Sequence, residues 1–427
     1  MSGQVCSQII FVWTGLAVVL VSCISPEAPA TDSPVFEADQ VITDTQLAQN
    51  TQLASEYLLR HLGPQGRFAY QRNAHPEAQI DSASYNVLRH MGAVYALGQW
   101  VDRQQDTQAL AGMKRAANYL KTCCIRPFDP GEGGEPAYGL WSLQQITDES
   151  RDPRLKLGGT ALGLIGLLAI ETHSPGFTGR DTLRLLAEGI LRMQRADGSF
   201  HAIYDGEEQA YSRFLSFFYP GEAMLALVDM YRYEPNERWL AGVRRGLRYL
   251  ATSRSDIPTE QLAPDHWMLL ALSALLTHVP GQPLGADTEL ILAHAERTVR
   301  RMLGDQVDEA PEALYFGSFR EGGSVTTVAT YLEGILAIMP FLEERAPDLS
   351  AGIRLAWGRA LSYAQEALIT EGPLRGGVTT LPRPVYEANP ELLPRASMVQ
   401  IDQVQHLLSA WLWSLERWDS LTEATAR

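Results

Sequence analysis

From Asp44 onward the chain alternates between two apolar patterns. In the stretches Asp44 to Leu62, Thr107 to Cys123, Asp181 to Gln194, Trp239 to Ala251, Thr288 to Leu303 and Ala351 to Ile369, apolar residues recur on one helical stripe and charges fill the rest. Such a stripe marks a helix lying on a protein surface. Between them lie Ser84 to Val101, Leu157 to Ile170, Tyr219 to Val228, Pro264 to Leu276, Ser324 to Leu342 and Ser397 to Leu415, which are apolar nearly all round and predict buried helices. Gly and Pro punctuate the series. Gly63-Pro64-Gln65-Gly66 ends the first helix, and Asp197-Gly198-Ser199-Phe200 is echoed by Gly317-Ser318-Phe319. Phe68 to Tyr70 and Leu374 to Val378 predict short extended pieces. Ser397 with Gln400 predicts a capping box on the last helix. Pro127 to Arg154 reads as a long irregular loop whose aromatics, Phe128, Tyr138 and Trp141, point to a functional role.

Six outer helices alternating with six inner ones restrict the architecture. In a row of separate hairpins each inner helix would leave an apolar face in water, at about 25 cal/mol per Å². Closing the inner six into a ring buries every face, and small residues such as Gly92, Gly159, Gly166, Ala226, Ala271 and Gly334 permit the close approach. The expected fold is all-α, an (α/α)6 toroid. The pattern from Asp44 to Trp418 resembles the toroid shared by six-hairpin glycosidases, toroidal polysaccharide lyases, the uronyl C5-epimerase helical domain and terpenoid cyclases. Gln194-Arg195-Ala196-Asp197-Gly198-Ser199-Phe200 is similar to the Q-x-x-x-G-x-W/F turn of the terpenoid cyclases, but a second clean copy and the Asp-x-Asp-Asp cluster of the squalene cyclases are missing.

The N-terminus follows other rules. Ile9 to Val21 is an apolar run short for a bilayer span and ends at Leu20-Val21-Ser22-Cys23, which resembles a bacterial lipobox, although no Lys or Arg precedes the run. The resemblance implies a signal peptide over 1–22 and lipidation at Cys23. A tether over 23–39, the toroid over 40–419 and a tail over 420–427 complete the expected organisation. Ile24 in place of Asp favours the outer membrane, on its periplasmic side or at the cell surface. Cys123 and Cys124 are adjacent, either as a vicinal disulfide or as two buried thiols. The net charge of −15 excludes a nucleic-acid partner, which needs clustered Lys and Arg. Neither HExxH nor paired CxxC occurs, so no metal site and no cofactor are expected.

Polar residues gather at the starts of the inner helices, where unpaired N–H groups and the positive dipole end converge on one mouth. Glu222, Asp265, Glu333, Asp402 and His406 are the candidate acid–base groups. Glu333 and Asp402 stand out because they lie inside apolar helices, where an unpaired carboxylate is costly. Glu222 and Asp265 sit where dipole and capping preferences place acids in any case. His406 lies one turn after Asp402. Tyr85, Asn86, Arg89, His90, Tyr219, His266, Trp267, Tyr331 and Gln405 are the candidate substrate-binding groups. Asn, His, Tyr and Arg together resemble the set with which toroidal polyuronide lyases neutralise a carboxylate and move an α-proton. These features point to a carbohydrate-active enzyme of the cell envelope, a hydrolase or a uronate lyase or epimerase. A non-catalytic glycan-binding or assembly lipoprotein and a terpenoid-cyclase relative are the alternatives.

Overall fold

The computed structural model describes residues 42–75, 85–129, 131, 136–142, 153–310, 313–320 and 322–422. The signal, lipid-site and tether readings fall outside these residues. The outer helices are α1 (Asp44–Arg60), α3 (Thr107–Cys123), α5 (Arg180–Arg192), α7 (Glu237–Ser253), α9 (Thr288–Leu303) and α11 (Pro347–Gln365). The inner ones are α2 (Val87–Gln104), α4 (Leu157–His173), α6 (Tyr219–Tyr233), α8 (His266–His278), α10 (Val325–Ile338) and α14 (Ile401–Glu416). Each inner helix packs on its two inner neighbours, and α14 closes the circle on α2. The chain has the (α/α)6 toroid fold. The burial follows the sequence pattern. α4 is buried without interruption from Leu157 to Leu168, whereas α5 buries one face, Leu183, Leu186, Ala187, Gly189 and Ile190. None of the described helices is long and apolar enough to cross a membrane.

The two kinds of connection differ. Those from an inner to an outer helix are short, as at Gln105–Asp106 between α2 and α3. Those from an outer to an inner helix are long and carry all the described strands. β1 (Gln71–Asn73) pairs with β7 (Met398–Gln400), and β2 (Ile125–Pro127), β3 (Tyr138–Ser142), β4 (Arg154–Lys156), β5 (Ile203–Asp205) and β6 (Ala210–Tyr211) form one antiparallel sheet in that order. The stretch expected to be an irregular loop therefore contributes three strands. Its aromatics are structural: Phe128 is buried against Trp141 and Tyr204. Alternation was invisible because each strand is only three to five residues long.

The turn of Gly198 recurs where the sequence shows no clean copy. Gly66, Gly198, Gly317 and Gly376 all have φ between 83° and 94°. At each, a Cβ would strike a backbone carbonyl of another outer helix, namely that of Arg115, Arg245, Arg359 and Leu53. Only glycine satisfies both demands. Gly376 packs on α1 and helps close the outer wall. Gln194 and Gln306 reinforce two of these turns by donating to the carbonyls of Gly242 and Ala356.

One local expectation changes and one open alternative is decided. The last helix begins at Ile401, and its box is made by Gln400 and Gln403, the Gln400 N–H donating to the Gln403 side chain at 2.7 Å. Ser397 instead donates to the Leu393 carbonyl at 2.5 Å. Cys123 and Cys124 are joined as a vicinal disulfide where α3 ends.

Candidate active site

Helix α8 starts at His266 because Asp265 caps it. The Asp265 carboxylate accepts from the Met268 N–H at 3.1 Å and pairs with Arg254 at 3.2 Å. Burial raises the Asp265 pKa, and Arg254 and the capping bond oppose the rise. Asp265 is a candidate acid–base group, and its carboxylate both caps the helix that carries His266 and Trp267 and pairs with Arg254.

Glycines then open space for large side chains on the neighbouring inner helix. A Cβ on Gly334 would strike His266, one on Gly92 would strike Gln405, one on Gly221 would strike Trp267, and one on Gly158 would strike Glu222 and Tyr219. The ring is thus closely packed yet admits a polar layer.

At its centre Glu333, from the middle of α10, lies between two imidazoles. His406 Nδ1 donates to Glu333 Oε2 at 2.8 Å, and His266 Nε2 lies 4.0 Å from the same oxygen. Glu333 and His266 are buried and the His406 side chain is 12% exposed, so His406 is the open edge of the cluster. The two rings are shifted in opposite directions. Burial pulls the His406 pKa down, but the Glu333 carboxylate outweighs it and the pKa ends above the ordinary value. Burial, joined by the neighbouring His406, pushes His266 well below its ordinary value. An imidazolium needs an acceptor at Nε2. The Gln405 carboxamide lies 3.3 Å away, and a half-turn supplies one while giving its otherwise unpartnered Oε1 a bond. His266 Nε2 is buried with no partner. The ligand atoms of His266, Glu333 and His406 lie within 4.8 Å of one another. This two-His, one-carboxylate set suits a divalent transition metal, a possibility that spacing motifs in the sequence did not reveal because the three residues come from three helices.

Around this core, Trp267 is buried with its ring 6.3 Å from His406 and 5.7 Å from Tyr95. Asp402, one turn before His406, pairs with Arg89 at 3.1 Å. Arg89 also donates to the Tyr70 hydroxyl and, at 3.4 Å, to Gln400. Glu222 is a separate buried carboxyl whose Oε2 has no partner. Burial, aided by Asp265, pushes its pKa up to about 8. Burial likewise raises Tyr219, with Glu222 adding to it.

Four expected binding groups are occupied elsewhere. Tyr85 donates to His90 Nδ1 at 2.6 Å and accepts from the Phe68 N–H at 3.1 Å, while His90 Nε2 donates to the Ala116 carbonyl at 3.1 Å. Asn86 is the N-cap of α2, accepting from the Leu88 N–H. Tyr331 donates to Asp305 at 2.9 Å, within a group that includes Arg301 and Arg320. Each of these contacts is to a neighbouring group of the protein itself. Tyr95 and Phe218 were missed by sequence reasoning. Tyr95 looked like one more apolar-face aromatic, and Phe218, 5.4 Å from the His266 ring, precedes its helix.

No protein-family model matches the chain, and no curated protein matches it. Solved structures do. A sugar epimerase from a ruminal bacterium superposes with a TM-score of 0.63 at 12% identity, covering 88% of this chain and 98% of that one. A D-mannose isomerase does so at 0.64 with 8% identity, covering 88% and 99%. An α-mannanase of Bacteroides thetaiotaomicron does so at 0.57 with 8% identity, covering 90% and 99%. At such identities the likeness concerns the fold.

Proposed function

We propose that this protein is a carbohydrate-active enzyme that moves a proton at the carbon beside a sugar carbonyl, as an epimerase or aldose–ketose isomerase does. The observation that carries the reading is the geometry of two imidazoles about one buried carboxylate: His406 Nδ1 is hydrogen-bonded to Glu333 at 2.8 Å, and His266 Nε2 is buried with no partner 4.0 Å from the same oxygen. Environments that push two titratable groups apart assign acid and base. Neutral His266 takes the α-proton through its unpartnered Nε2. Protonated His406 donates its Nε2 proton to the carbonyl oxygen as the enediol forms, the sugar oxygen taking the place of the Gln405 carboxamide, while Glu333 holds Nδ1–H. The fold shared with a sugar epimerase and a mannose isomerase supports the substrate class. A uronate is less well served, because Arg89 is already paired with Asp402. Hydrolysis needs two carboxyls flanking one bond, and the central cluster contains one.

The test is exchange of solvent deuterium into C2 of mannose, glucose and cellobiose, followed by proton NMR. Wild type is expected to exchange at least one of them, and His266→Gln and His406→Gln are not. Exchange that survives both substitutions would sink the reading. Activity lost on chelator dialysis and restored by zinc would replace it with metal-assisted chemistry. Lipid anchoring at Cys23 in the outer membrane belongs to the same proposal, supported by the lipobox-like sequence. Labelled palmitate should enter wild type and not Cys23→Ser.

A further inference from the structure

The opposite mouth of the ring holds a cavity of about 930 Å³, built from the C-terminal halves of α2, α4, α6, α8 and α14. That is near the top of the ~300–1,000 Å³ range of small-molecule pockets. Its walls include Ile165, Leu225 and Leu270, and its aromatic groups are Tyr95, Tyr233 and Trp413. Most of its ionic groups are already engaged. Asp229 pairs with Arg232 at 3.2 Å, Asp102 with His173 at 2.5 Å and Glu416 with Arg417 at 3.6 Å. The Glu171 carboxylate accepts from the N–H groups of Gly176, Thr178 and Gly179. What remains unmet includes one end of an uncharged amide. The Gln99 carboxamide lies 3.0 Å from the Tyr95 hydroxyl, and its other end is buried with no partner. Arg417 Nε is a second buried group without a bond.

Mostly engaged charges, an unpartnered carboxamide end, an unpartnered guanidinium N–H and aromatic faces describe a site for a neutral, hydrogen-bonding ligand with apolar ring faces. We infer that this cavity is a second saccharide-binding site, separate from the His266–Glu333–His406 cluster; the choice of ligand class rests on the carbohydrate reading above. Tyr95 is the wall between the two sites. Its hydroxyl faces Gln99, while its ring lies 5.7 Å from Trp267, the neighbour of His266 in the chain.

The test is calorimetric titration of the full chain with mannose, cellobiose and mannobiose. Ala274 lines the cavity, and Ala274→Trp fills it. Gln99→Leu keeps the volume and removes the unpartnered carboxamide, so it tests the site even if the tryptophan variant does not fold. At least one saccharide is expected to bind wild type. Either variant should weaken that binding by about tenfold or more, while His406→Gln leaves it unmoved. Binding that neither cavity variant changes, or no binding of any of the three, overturns the inference. So does loss of all deuterium exchange in a folded Ala274→Trp chain, which would make this cavity the reaction site. Failure of the proton-transfer reading shows separately, as wild type that binds a saccharide without exchanging it.

Discussion

His90 and His266 occupy similar places in the ring and behave differently. Both belong to the start of an inner helix, both are buried, and burial lowers both pKa values, that of His90 to about 4. Yet His90 has a partner on each nitrogen, Tyr85 and Ala116, and His266 has none on Nε2. A buried polar group with every bond made specifies structure. One left unmet pays a desolvation cost that packing does not return, and such costs persist where a ligand or transition state meets them. The second imidazole of the cluster sharpens the contrast, because Glu333 raises the His406 pKa while burial lowers that of His266.

The largest effects should fall on the two imidazoles of the cluster. His266→Gln and His406→Gln are each expected to lower turnover by about 10²–10⁴-fold, the usual contribution of a positioned acid or base, with little change in unfolding midpoint. The pH profile follows from the two directions. His266 must be neutral, so activity appears above its depressed pKa. His406 must be protonated, so activity disappears as pH rises through its elevated one. Glu333→Gln removes the main group raising His406, and the basic limb should therefore move to lower pH. If that limb stays fixed, Glu333 is not what charges His406.

A smaller effect separates Glu222 from this pair. Its folded pKa of about 8 lies above the ordinary 4.5, so the folded chain retains a proton that the unfolded chain has lost. Stability is then fully present below the ordinary value and declines as pH rises through the folded one, by about 1.4 kcal/mol per unit at most. Glu222→Gln should remove much of this decline. Thermal melts at pH 6 and pH 9 check it, and parallel losses in both proteins would show that Glu222 is not held protonated.

The toroid was legible because burial on all sides leaves a mark that a single chain displays, as in the unbroken apolar run of α4. The short strands left none, since three residues cannot show alternation. For the site, Glu333 stood out because a carboxylate inside an apolar helix has few innocent explanations. Its partners could not be read, since His266, Glu333 and His406 are separated by 67 and 73 positions and meet only when the ring closes. Asp265 and Tyr85 were candidates as well. The Arg254 and the Phe68 N–H that engage them are contacts that periodicity does not locate.

Tyr85→Phe should give the smallest effect, and it bears most directly on the His90 side of the contrast. The substitution keeps the ring that Arg67 covers at 4.2 Å and removes only the hydroxyl. Without it the Phe68 N–H and His90 Nδ1 are left buried and unpartnered, at a cost of about 1–3 kcal/mol. The urea midpoint should fall accordingly, while kcat and KM stay within about twofold, since this cluster is read as structural. His90→Gln, which keeps a donor and an acceptor, should recover part of what Tyr85→Phe loses when the two are combined. Should Tyr85→Phe instead abolish turnover at unchanged stability, then satisfied bonds would be no guide to structural duty in this ring, and His90 would have to be counted with His266 among the reacting groups.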